Sequence, residues 1–173
     1  MIRADSVGIG NLARDLARVA ADAPKVFAQA ASSVARASNT EGKREITAVY
    51  GIKQSRVAEG LKSTAKGSDV ITTGKAKGIT LQSFGGRQTT KGYSAAVRKG
   101  SRKLIRGGFT PKKFGGVPFK REGAASLPIK VLYGPSVASM LRNREVSERF
   151  IVRQSIRARD ELTRRIFREL DRR

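Results

Sequence analysis

Residues 91–109 read KGYSAAVRKGSRKLIRGGF, and this stretch decides the fold class. Tyr93, Ala95 and Val97 alternate with Ser94, Ala96 and Arg98, the two-residue period of a half-buried strand. Lys99-Gly100 ends that run, and Leu104-Ile105 makes a second one before Gly107-Gly108. Connections this short and glycine-rich favour antiparallel pairing, since a parallel return needs a long crossover. Upstream, Val70-Ile71-Thr72-Thr73 and Ile79 to Phe84 are similar short runs bounded by glycines. The intervening GGRQTTKG is long for a hairpin and predicts a flexible arm that orders on contact. Downstream, residues 107–128 hold three of the five prolines and no period, which predicts an extended arm or loop.

Both ends change to the helical period. Ile9, Leu12, Leu16 and Val19 recur at three- and four-residue steps. Asp22 and Pro24 read as a cap and restart, followed by a second helix carrying Phe27, Ala30, Ala31, Val34, Ile46 and Val49. Near the C-terminus, Val146, Phe150, Ile156, Leu162, Ile166, Phe167 and Leu170 mark a long amphipathic helix with arginines on its other face. The expected fold is therefore α+β, with N-terminal helices, a small central antiparallel β-sheet bearing basic Gly-rich loops, and a long C-terminal amphipathic helix. One domain over 1–173 is expected: 1–52 helical, 53–106 β-rich and basic, 107–128 extended, and 129–173 a turn plus the C-terminal helix.

The 173 residues contain no Cys and no His. That removes disulfides, the usual zinc ligands and the usual nucleophile–base pairs. GSDVITTGK at 67–75 only superficially suggests a phosphate loop: six residues separate Gly67 from Gly74 where four are needed, and Ala76 replaces the required Ser or Thr. The middle segment's carboxylates, Glu59 and Asp69, belong to no cluster. The reading is a non-enzyme with no cofactor and no metal. No apolar run approaches the roughly 18 to 20 residues that span a bilayer, and MIRADSVGIG lacks a signal peptide's apolar stretch. No membrane partner and an intracellular product are expected.

Charge is the outlier, at +22 overall. Residues 53–121 carry 17 basic and 2 acidic side chains, together with 12 of the 18 glycines, while the helical ends are nearer balance. A positive region of this density seeks polyanions or acidic protein surfaces. The candidate contacts are Lys75, Lys77, Arg87, Lys91, Arg98, Lys99, Arg102, Lys103, Arg106, Lys112 and Lys113, interleaved with Tyr93, Phe109 and Phe114.

Residues 127–146 read LPIKVLYGPSVASMLRNREV. Gly134-Pro135 forces a turn, Ser136 suits a helix cap, and Tyr133 is positioned to anchor the turn on the core. Leu127-Pro128-Ile129, Leu132-Tyr133-Gly134-Pro135-Ser136 and Met140 resemble the signature of the phage minor tail protein Z family, the tail completion proteins. The upstream FGGRQTTKGYSAAVRKGSRKLIRGGF fits the same pattern. The resemblance implies a structural subunit at the head-proximal end of a long phage or prophage tail, assembled in the host cytoplasm and carried in the virion. It further implies a homo-oligomeric ring, expected to be a hexamer, that contacts other tail and neck proteins, touches phage DNA non-specifically, and helps head–tail joining. The alternative is a free basic nucleic-acid-binding protein of ribosomal or nucleoid type.

Overall fold

The computed structural model describes residues 6–123 and 126–171, with the side chains of 6–16 and of Val19 outside that description. The fold class is α+β, with helices at both ends and small sheets between them. In chain order the elements are α1 (Ser6–Val49), α2 (Gln54–Ala58), β1 (Leu61–Lys66), β2 (Asp69–Gly74), β3 (Gly78–Thr80), β4 (Arg87–Thr89), β5 (Gly92–Arg98) and β6 (Ser101–Arg106). There follow β7 (Gly108–Phe109), β8 (Phe119–Arg121), β9 (Ile129–Val131), β10 (Tyr133–Ser136), α3 (Val137–Leu141) and α4 (Arg144–Leu170). The chain divides into two compact units. One draws its described residues from Met1–Ser38, Ser63–Ile71 and Val152–Arg173, the other from Asn39–Lys62 and Thr72–Ile151.

Several sequence expectations are corrected. α1 is one helix of 44 residues with Pro24 inside it, not two helices broken there. An internal proline removes one hydrogen bond and costs about 3 kcal/mol. Burial of Val26, Ala30, Ala31, Val34 and Ala35 just downstream, at about 25 cal/mol per Å² of apolar surface, offsets a defect of that size. Phe27, expected on the buried face, is exposed. The expected stripe of Ile9, Leu12, Leu16 and Val19 falls on side chains outside the described set.

The strands are shared among four small sheets instead of forming one. GGRQTTKG is no flexible arm: β4 and β5 form a tight hairpin in which Thr89 pairs with Gly92, and Thr89 Oγ1 donates to the Gly92 carbonyl at 2.8 Å. The 107–128 segment is not wholly extended either. It contributes β7 and β8 to an antiparallel sheet with β9, and Phe119 in β8 is buried. Its strands were hidden because each holds only two or three residues.

The second unit has the apolar core. Ile46, Tyr50, Val57, Leu81, Phe84, Tyr93, Val137, Met140 and Val146 are buried together. α1 ends where its chain is captured by β5: the Lys99 N–H donates to the Val49 carbonyl and the Gly51 N–H to the Val97 carbonyl, both at 3.0 Å.

The first unit is organised differently. α4 was expected to bury its apolar stripe throughout. Val146 and Phe150 are buried, but among the described residues further along only Glu161 is buried, with Gln154, Ala158, Leu162 and Arg165 half-buried, while Val152, Ile156, Ile166 and Phe167 are exposed. Beside the buried Val26, Ala30, Ala31 and Val34 of α1, polar pairs join the two helices. Ser38 Oγ bonds Gln154 Oε1, Ser33 bonds Glu161, and Arg165 donates to Gln29 Oε1 at 2.9 Å. These pairs run in opposite order along α1 and α4, so the helices are antiparallel here.

Glu161 is the buried charge of this seam, 8% exposed. Burial alone would push its carboxyl up. Hydrogen bonds from Arg165 and Ser33, with the charges of Arg164 and Arg165, prevail and hold it below the usual carboxylate range. Glu161→Gln is expected to cost about 2 kcal/mol, because Arg165 is left without its carboxylate. With the folded value below the unfolded one of about 4.3, this contribution is complete above that value and fades as pH falls through the folded value. Thermal melts followed by circular dichroism should show the wild-type advantage shrinking in acid. A gap that stays constant into acid would contradict the assignment.

Candidate polyanion-binding surface

The motif at 127–140 is a joint. Gly134 abuts the buried ring of Phe84, with room for no side chain: an added Cβ would lie 2.7 Å from Phe84 Cε2. The Leu132 carbonyl accepts from the Leu81 N–H at 3.0 Å, and the Leu132 N–H donates to the Pro118 carbonyl at 2.9 Å. Ser136 caps α3 as expected, its Oγ accepting from the Ser139 N–H at 3.1 Å. The Lys75 carbonyl takes the Ala138 N–H at 3.2 Å. Val137 and Met140 then enter the core, while Leu127 and Pro128 are exposed and Ile129 and Pro135 are half-buried. Tyr133 is a correction: it is 54% exposed and does not anchor the turn. Its ring borders a hollow of about 350 Å³ shared with Lys75, Lys77 and the Arg56–Glu59 pair.

Every candidate cation is exposed, and the sheets sort them into groups. In the β4-β5-β6 sheet, Arg87, Ser94 and Leu104 stand in one cross-strand row. Residues two apart on a strand share a face, so Arg102 and Arg106 lie on that same face. Arg102 is not a free contact residue. Its guanidinium donates to the Ser94 carbonyl at 3.3 Å and the Gly85 carbonyl at 3.1 Å, tying the sheet to the turn before β4. Arg98 is likewise engaged, 3.8 Å from Glu145. Lys103 stands opposite Ala95, on the other face. Lys99 borders a second hollow with Lys53 and Arg56. Lys112 and Lys113 sit on a short helical turn before Phe114.

One further group joins the expected Lys91 to Lys120 and Arg121, which the sequence reading did not name. Lys91, at the tip of the β4-β5 hairpin, lies beside Lys120 and Arg121 of β8 around a cleft of about 620 Å³ with Phe109 in its wall. Gln88 builds the cleft, its Nε2 donating to the carbonyls of Gly92 (3.1 Å) and Gly108 (3.2 Å) and so clasping β7 to the hairpin. Lys120 and Arg121 sit in FKR, whose period is too short to announce a strand. Of the aromatics interleaved with the cations, Tyr93 is only 2% exposed and burial raises its hydroxyl pKa, Phe109 is half-buried and Phe114 is exposed.

Among the described residues no three of His, Cys, Asp and Glu gather as a metal site would require, and no helix is long and apolar enough to cross a membrane. Compared with known protein families, curated proteins and solved structures, the chain finds no match.

Proposed function

We propose that this chain is a structural tail completion protein of a long-tailed phage or prophage, a ring subunit at the head-proximal end of the tail that assists head–tail joining and DNA passage. The observation carrying the assembly part is α4, which turns Val152, Ile156 and Phe167 outward, 56 to 60% exposed. Covering a large apolar side chain is worth roughly 1.5 to 3 kcal/mol, and an apolar stripe left uncovered marks an interaction surface. The LYGPS resemblance supplies the tail context and the sixfold ring, and the cations of the second unit suit a joint through which DNA passes. A free nucleic-acid-binding protein is the second reading, favoured by the Lys91–Lys120–Arg121 cleft.

Light scattering on the purified chain is expected to give a mass several times that of the monomer. The variant Val152→Ser/Ile156→Ser/Phe167→Ser should return it to monomer with its melting temperature little changed, since each of these side chains is more than half exposed. A wild-type chain that stays monomeric, alone and with tail proteins, would overturn the assembly reading in favour of the free binder.

A further inference from the structure

The cleft between the β4-β5 hairpin and β8 sets cations beside an aromatic ring. Lys91, Lys120 and Arg121 line it, and no carboxylate does. The nearest acid in sequence, Glu122, is held by Lys130. Phe109 forms an apolar wall, and the Arg121 guanidinium lies over its ring, 5.4 Å from the centroid. A planar cation on an aromatic face is itself a platform on which a flat base stacks. Backbone from Gly92 and Gly107 also borders the space. An added Cβ at Gly107, whose φ is +73°, would meet nothing, so the approach there is open.

Three cations beside a flat platform, in about 620 Å³, fall within the roughly 300 to 1,000 Å³ of small-ligand sites. We propose that this cleft binds a nucleotide: its phosphate between Lys91, Lys120 and Arg121, and its base on the Arg121–Phe109 platform. The chemistry is that of single-stranded nucleic acid, whose unpaired bases reach a platform while its phosphates track a positive groove. A duplex keeps its bases paired and offers the cleft phosphates alone. The proposal goes beyond the tail reading. A chain that assembles into rings yet fails the test below would sink this proposal alone.

The experiment is fluorescence anisotropy of a short labelled thymidine strand with the full chain, at about 50 and about 200 mM salt, where the salt slope counts phosphate contacts. Lys91→Gln/Lys120→Gln/Arg121→Gln is expected to lose at least about 30-fold in affinity and to flatten the slope by about 0.7, the share of one phosphate on a single strand. Phe109→Leu keeps apolar packing against Phe119, and should lose about 10-fold with the slope unchanged, because base stacking is worth roughly 1 to 3 kcal/mol. Lys75→Gln/Lys77→Gln/Lys99→Gln removes the same charge away from the cleft and serves as the control, expected to lose under about threefold by long-range electrostatics alone. Circular dichroism melts confirm that each variant is folded. Competition by dTMP at equal nucleotide concentration would assign the cleft to free nucleotides, whereas competition only by unlabelled strand would assign it to the strand. Equal losses in the cleft and control variants, or a duplex of the same sequence binding as tightly as the strand, would overturn the proposal.

Discussion

A Gly92→Ala variant is expected to lose on the order of 4 kcal/mol, a large share of the 5 to 15 kcal/mol that holds a domain together. Gly92 opens β5 at φ +143°, a conformation that side chains rarely adopt, and a Cβ there would stand 2.2 Å from the Ile105 carbonyl oxygen and 3.0 Å from its carbon. The obstruction is backbone, so no rotamer relieves it. Moving the strands apart would break the pairing of Gly92 with Arg106 and of Tyr93 with Ile105, and Tyr93 is among the largest fully buried side chains. Conformational strain of about 1 to 3 kcal/mol adds to a similar overpacking cost. Urea denaturation measures the sum. A variant with a midpoint close to wild type would show that the hairpin accommodates the methyl group.

Phe84→Ala should be comparably damaging, at about 3 to 5 kcal/mol, because the ring is 0% exposed and its removal leaves a cavity. Gly134→Val should cost about 3 kcal/mol by the opposite route, overpacking against Phe84 and against Leu81 Cδ2 at 3.2 Å. The double variant is the informative one. Valine at 134 enters the space the ring vacates, so the combined loss should fall short of the sum by 1 kcal/mol or more, as contacting residues do. Strict additivity in denaturation midpoints would mean that Gly134 is required for some reason other than room for Phe84.

How much of this was legible in the sequence follows from period length. β5 was readable because Tyr93 to Arg98 is long enough to alternate, β6 because the apolar Leu104-Ile105 follows it across a short glycine turn, and the Ser136 cap because capping is a local hydrogen bond. β7 and β8 were not, since two or three residues cannot show a period. Pro24 misled because tertiary burial of the alanine stripe overrode a local signal. α4 misled for a subtler reason. Its apolar residues do recur at helical spacing, but spacing says that a stripe exists, not which side of the helix meets its own chain. The candidate cations are exposed, yet sequence adjacency could not separate Arg102, spent on carbonyls, from Lys91, which borders the same cleft as Lys120 and Arg121 because Gln88 clasps its hairpin to β7 and β7 pairs with β8.

The crowding of cations on the second unit gives dissolved salt two opposite effects on this protein. Folding draws like charges together, so mobile anions relieve that repulsion once the screening length shrinks to about 10 Å at 0.1 M. The same anions compete with any polyanion for the same side chains, so every gain in the unbound fold is matched by weaker attachment. If the proposed polyanion contact holds, in dilute salt the bound polyanion would take over the counterion's part, and ionic strength would decide which anion screens these side chains.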